Sequence, residues 1–129
     1  MPQLSDVIRP NPIEVAPEDT LGEVAERMSE ANVGAVVVKD YGRLIGILTE
    51  RDMLKAMAER VHTSEARVRQ WMTEDPITAS LDTDVEHAAR TMLENGFRHL
   101  PVTDETGRVV GIASLRRVVA ATQAAADRV

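Results

Sequence analysis

Residues 12–52 of this 129-residue chain read P-I-E-V-A-P-E-D-T-L-G-E-V-A-E-R-M-S-E-A-N-V-G-A-V-V-V-K-D-Y-G-R-L-I-G-I-L-T-E-R-D. Residues 76–117 say nearly the same again: P-I-T-A-S-L-D-T-D-V-E-H-A-A-R-T-M-L-E-N-G-F-R-H-L-P-V-T-D-E-T-G-R-V-V-G-I-A-S-L-R-R. Pro12 matches Pro76, Ala25 matches Ala89 and Met28 matches Met92 at an offset of 64. Gly46 then matches Gly111 at 65, so one residue entered between them. The copies part at their last matched position, Asp52 against Arg117. Each copy has about 60 residues, a size that hides only roughly 60% of its unfolded surface when it folds alone. The two copies are therefore expected to share one core.

Each copy carries the same order of signals. A short β-type run, residues 13–15 and 77–79, precedes a helix start. Thr20-x-x-Glu23 and Thr83-x-x-Glu86 both fit the capping box, in which hydroxyl and carboxylate satisfy orphan N–H groups reciprocally. The helix bodies follow at period 3.6, with Leu21, Val24, Ala25 and Met28 on one face and Val85, Ala88, Ala89 and Met92 on the other copy's. Asn32 and Gly34 end the first helix and Gly96 the second. Two strand-like runs come next, 35–38 with 44–48 and 100–102 with 109–112, joined by turns at 39–43 and 103–108. Pro101 donates no ladder bond, so its strand is expected at a sheet edge or to begin there. A second helix closes each copy, about 50–60 and 115–126, beside the N-cap types Thr49 and Ser114. The unit is β-α-β-β-α, used twice. Repeat one spans 7–62 and repeat two 71–122, with a polar, structured linker at 63–70. Trp71 and Met72 are expected to pack the segment entering the second copy.

Composition narrows the function. Apolar residues make up 43% and charged residues 28%, as in an ordinary globular protein. A net charge of −6 argues against general nucleic-acid or membrane-surface binding, since both targets are anionic. The only aromatic residues are Tyr41, Trp71 and Phe97, too few for a base-stacking platform. The chain has no cysteine, which excludes disulfides and thiolate zinc sites. No apolar run approaches the ~20 residues of a membrane span. The first residues lack a secretory pattern, so the expected location is cytoplasmic. His62 and His87 have no partner at metal-ligand spacing and are expected to be solvated; no metal site is expected.

The chemistry lies in Gly46-Ile47-Leu48-Thr49-Glu50-Arg51-Asp52, where a strand ends, a hydroxyl sits at the junction and a helix begins. A helix N-terminus presents unpaired N–H groups and about half a positive charge, which favours phosphate. The Thr49 hydroxyl can donate to the same phosphate. The Asp52 carboxylate can accept two bonds at once, which suits the paired hydroxyls of a ribose. Equally, Thr49 can be only a cap and Asp52 only an acid complementing the helix dipole.

The chain resembles the tandem CBS-domain pair, or Bateman module, from about residue 7 to residue 121. Three features carry the resemblance: the doubled β-α-β-β-α order, the G-h-x-[T/S]-x-x-D pattern at Gly46–Asp52 and the R-H-L-P-V pattern at Arg98–Val102. It implies an α/β (α+β) fold in which the two repeats pack with pseudo-two-fold symmetry into one module. It also implies adenosine-ligand pockets, each mixing residues of both copies. One pocket takes Ile47, Thr49, Arg51 and Asp52 from copy one. Copy two supplies Pro76 and Ile77 near the adenine, and Phe97, Arg98 and His99 near ribose and phosphate. The other takes Ile112, Ser114, Arg116 and Arg117 with Pro12, Ile13, Val33, Gly34 and Ala35. Here Arg117 offers no acceptor for a ribose, and Gly34-Ala35 offer no charge to a phosphate. The expectation is one competent pocket per chain.

No catalytic constellation accompanies these residues: no G-x-S-x-G elbow, no H-E-x-x-H and no G-x-x-x-x-G-K-[ST] loop. An acid–base pair of Asp52 and His99 has no substrate logic. The leading reading is a non-enzymatic regulatory module that binds AMP, ADP or ATP as regulatory ligand and needs no obligatory cofactor. It is expected to form a homodimer and to act on a protein effector. The competing reading is a ligand-free homodimerising scaffold or protein-interaction module.

Overall fold

The computed structural model describes residues 2–127. After a 3-10 turn at Leu4–Asp6 come β1 (Arg9–Pro10), β2 (Glu14–Val15), α1 (Leu21–Ala31), β3 (Ala35–Asp40), β4 (Arg43–Thr49), α2 (Glu50–Ala58), α3 (Val68–Trp71) and β5 (Thr73–Glu74). β6 (Ala79–Ser80), α4 (Val85–Asn95), β7 (His99–Thr103), β8 (Val109–Ser114) and α5 (Leu115–Asp127) complete the chain. The expected mixed α/β fold, a β-α-β-β-α unit used twice, is present.

The chain divides into two compact units, and the division cuts across the linear repeat. Ile13–Pro76 form the first unit; residues up to Pro12 together with those from Ile77 onward form the second. Both crossings fall at matched Pro-Ile dipeptides, Pro12-Ile13 and Pro76-Ile77.

In the first unit the sheet order is β2-β3-β4-β5. β2 runs parallel to β3, while β3 and β4 form an antiparallel hairpin. Tyr41 and Gly42 at its tip have φ of 51° and 75°. Positive φ at both central residues gives the turn a twist that matches paired strands. Thr20 caps α1: its Oγ1 accepts from the Glu23 N–H at 3.2 Å and donates to Glu23 Oε1 at 2.8 Å. That hydroxyl holds the Glu23 carboxyl below its ordinary value. Asn32 in the left-handed region closes the helix. The 63–70 linker is pinned to the start of α1, where the Leu21 N–H donates to the Ala66 carbonyl and the Gly22 N–H to the Thr63 carbonyl, each at 2.9 Å.

The second unit repeats this plan with the order β1-β8-β7-β6. Each unit therefore gains an outer strand from beyond its own repeat. β5 pairs with β4 in the first, and β1 pairs with β8 in the second. The repeat glycines are what let these strands in. A methyl group on Gly46 would lie 2.9 Å from the Thr73 carbonyl oxygen, and one on Gly111 2.8 Å from that of Arg9.

Four details depart from the sequence expectation. The buried apolar residues form two core clusters rather than one, because the borrowed segments enlarge each unit. Val68, Trp71 and Met72 join the cluster of α1, and Leu4, Val7 and Ile8 join that of α4. Trp71 and Met72 thus hold the segment that enters the second copy, as expected, by packing against the first unit's core. The cap of α4 is Asp84, which accepts from the Glu86 N–H at 3.1 Å. Thr83 lies one residue too early, since the repeat offset matches Thr20 to Asp84. Ala25 is exposed whereas its counterpart Ala89 is buried. The longer α5 packs against α4 in the second unit, and α1 has no comparable helix partner among the described residues. Finally, β7 is an interior strand with Pro101 at its centre. Met28 and Met92 are buried core residues, as their helical spacing predicts.

Candidate functional site

β4 delivers Thr49 to the start of α2. Thr49 is extended, at φ −118° and ψ 167°, so its side chain turns back over the first helical turn. Its Oγ1 accepts from the Asp52 N–H at 3.3 Å. In return, Asp52 Oδ2 accepts from the Thr49 N–H at 2.9 Å and from the Thr49 hydroxyl at 3.1 Å. This is a complete capping box, and it leaves Asp52 only 8% exposed. The T-x-x-D spacing announces the box in the sequence, although the residues there suggest only a cap and an acid. A carboxylate offers about four acceptor positions, so the two capping bonds leave capacity for further donors.

The other side of this corner is the start of β3. Ala35 lies opposite Thr49 in the ladder, and the Glu50 N–H donates to the Gly34 carbonyl at 3.0 Å. The second unit builds the same corner from different chemistry. His99 lies opposite Ser114, and the Leu115 N–H donates to the Arg98 carbonyl at 2.8 Å. Ser114 Oγ accepts from the Arg117 N–H at 3.2 Å, but the Arg117 side chain has no acceptor with which to return a bond. Thus the first unit joins Thr49 and Asp52 to a neutral strand start, while the second joins Ser114 and Arg117 to the basic Arg98-His99.

Of the residues expected in the competent pocket, Ile47, Thr49, Arg51, Asp52 and Pro76 belong to the first unit. Ile77, Phe97, Arg98 and His99 belong to the second. The remaining set divides likewise: Ile13, Val33, Gly34 and Ala35 lie in the first unit, and Pro12, Ile112, Ser114, Arg116 and Arg117 in the second. Ile47 is buried yet belongs to neither core cluster, because it alternates with Leu48 to the opposite face of the sheet. Arg51, Ile77 and Arg98 are exposed; Phe97 and His99 are half-buried. His62 and His87 are exposed, as expected. Among the described residues no group of three His, Cys, Asp or Glu side chains could hold a metal ion, and no helix is long and apolar enough to cross a membrane.

The sequence reading missed the role of Gly46. It stands in the ligand-like motif, yet what it supplies is room for β5. The signal was its equivalence to Gly111, which recurs although the downstream helix there carries Arg117 in place of Asp52.

The CBS-domain family model matches residues 4–59 and 68–123. The chain belongs to the CBS-domain family, with two such domains in tandem. Its curated relatives include an uncharacterized 17.7 kDa protein of Acidianus ambivalens, 43% identical over 103 residues, which are 79% of this chain and 62% of that protein. The chain spans less than two-thirds of the length of the curated relatives it matches most strongly. Among solved structures, it is similar to the CBS domain pair of protein MJ0100 in complex with 5-methylthioadenosine and S-adenosyl-L-methionine. That match has 28% identity and a TM-score of 0.83, covering 95% of this chain and 96% of that one. It is also similar to CBSX2 in complex with AMP, at 28% identity and a TM-score of 0.77, covering 95% and 97%.

Proposed function

We propose that this chain is a regulatory module that binds one adenosine-containing nucleotide, an AMP-, ADP- or ATP-like ligand. The site would use the Thr49–Asp52 corner of the first unit with Ile77, Phe97, Arg98 and His99 of the second. Asp52 would accept from the ribose hydroxyls, the N-terminus of α2 and the Thr49 hydroxyl would face phosphate, and Arg98 and His99 would add charge-assisted bonds. Ile47, Pro76 and Ile77 would provide apolar walls for the base. One observation carries the reading: the unlike chemistry of two equivalent corners, Asp52 with Gly34-Ala35 against Arg117 with Arg98-His99. Crossing the halves would give one site with both an acid for ribose and a basic pair for phosphate, and another with neither. The AMP and S-adenosylmethionine complexes of related pairs support the ligand class. Titration calorimetry of the wild-type chain with AMP, ADP and ATP tests it. One nucleotide per chain is expected; two equivalent nucleotides would overturn the asymmetry, and no heat with any of the three would overturn the function.

A scaffold role is favoured by one separate observation. Leu54 and Met57 on α2 are 65% and 70% exposed, and Leu93 on α4 is 65% exposed. Faces of this kind suit a second copy of the chain. Sedimentation of wild type against Met57→Glu measures whether they carry a dimer.

A further inference from the structure

The chain between α2 and α3 folds around an open cavity of about 370 Å³, lined by Val61, His62, Glu65, Ala66, Gln70 and Trp71, all within the first unit. A volume of that size suits a small molecule. Local bonds shape its walls. The Glu65 and Ala66 N–H groups both donate to the His62 carbonyl, at 2.9 and 2.8 Å, and the Gln70 side chain accepts from the Arg67 N–H at 2.9 Å. Trp71 is the chain's only tryptophan, and it lines the cavity while packing against the core cluster of α1. The offset of 64 matches Trp71 to Val7, so the second unit has no aromatic ring at this place. Among the described residues, the side chains of His62, Glu65 and Trp71 make no hydrogen bond or ion pair. The linker's own cations are engaged elsewhere: Arg67 Nη1 donates to the Glu18 carbonyl at 2.9 Å, and Arg69 Nε pairs with the Glu18 carboxylate at 2.7 Å. α2 ends at Ala58, just ahead of Val61, and its carbonyl end adds partial negative charge.

We propose that this cavity binds a small organic ammonium ion. An indole face attracts a cation through its quadrupole, more strongly than the rings of tyrosine or phenylalanine do. Glu65 would pair with the ammonium charge, and the neutral His62 imidazole would accept one of its N–H bonds. Val61 and Ala66 would take the apolar body of the ligand. An anion of the same size would instead meet the Glu65 carboxylate. The inference goes beyond the nucleotide-binding reading above and shares no residue with that site.

The test is titration of the wild-type chain with butylammonium, 1-butanol and butyrate at constant ionic strength, followed by tryptophan fluorescence. Because Trp71 is the only tryptophan, the signal reports on this cavity. Butylammonium is expected to shift the emission saturably. Butanol, which has the same alkyl chain without the charge, and butyrate, which has the opposite charge, are expected not to. In Glu65→Gln the affinity for butylammonium should fall about threefold to fivefold, the upper range for an exposed ion pair. Glu65 is exposed, so this variant should fold as the wild type does. Equal responses to butylammonium and butanol would overturn the proposal, as would no saturable response to butylammonium. An unchanged affinity in Glu65→Gln would overturn it as well. None of these results bears on the nucleotide site, which AMP titration reads separately.

Discussion

Asp52→Ala separates the capping role of the Asp52 carboxylate from the ribose-binding role proposed for it. In the unliganded protein Asp52 Oδ2 accepts from the Thr49 N–H at 2.9 Å and from its hydroxyl at 3.1 Å, in a residue only 8% exposed. Truncation orphans the Thr49 amide and removes an acid from the positive end of α2. Loss of a reciprocal cap costs about 1 kcal/mol, and loss of a bond to a charged acceptor brings the total to about 1.5–3 kcal/mol. For a chain of this size that lowers the melting temperature by roughly 5–12 °C. Asp52→Asn keeps an amide oxygen for the Thr49 N–H and should lose only about 0.5–1 kcal/mol. The assay is thermal unfolding followed by circular dichroism, without ligand and with AMP at ~100 times its dissociation constant. Ligand at that concentration adds ~2.7 kcal/mol to wild type. The prediction is that both variants lose most of this added stability, while only the alanine variant is much weaker without ligand. Unliganded Asp52→Ala melting with wild type would refute the capping argument. A full AMP shift in that variant would refute the ribose assignment.

Three other perturbations follow from the packing. Gly46→Ala places a methyl 2.7 Å from Met72 Sδ and 2.9 Å from the Thr73 carbonyl oxygen, and Gly111→Ala places one 2.8 Å from the Arg9 carbonyl oxygen. Each should destabilise by about 1–3 kcal/mol in urea unfolding, since a backbone atom cannot swing aside. Met92→Ala empties a fully buried position in the second unit and should cost about 2–5 kcal/mol by the same measurement. Glu23 is held below its ordinary value of 4.5 chiefly by the Thr20 hydroxyl. Its stabilising effect is therefore complete above that ordinary value and is lost as the pH falls through the lowered folded value. Glu23→Gln should flatten the acid limb of a stability–pH profile, and an unchanged limb would remove the box from the account.

Much of the fold is legible in the sequence because the repeat checks itself. A capping pattern, an apolar helical face and a hairpin turn recur at an offset of 64 or 65, and elements read in one copy reappear in the other. Local chemistry suffices for these: Thr20 caps α1 and Gly96 closes α4 in the left-handed region. The failures share a cause as well. Thr83 fits the capping spacing, but Asp84 stands one residue nearer the helix and offers an equally good acceptor. Ala25 and Ala89 match in sequence, yet only Ala89 lies where a second helix packs.

For the site, the sequence placed an acid and a hydroxyl at one helix start and an arginine at its twin. It also supplied the T-x-x-D spacing that the structure closes into a box. Which strand start adjoins each corner followed from the register, Ala35↔Thr49 and His99↔Ser114.

The amino-acid sequence alone determined the repeating unit, its helices and strands, and the unlike charge of its two corners, because each depends on residues within a few positions of one another. Tertiary structure decided how the chain is shared between two units, with β5 laid on β4 and β1 on β8. It also decided that Pro101 stands inside a sheet rather than at its edge. Pairing between segments dozens of residues apart depends on which backbone groups find partners and which glycines leave room. Neither is written in any local pattern.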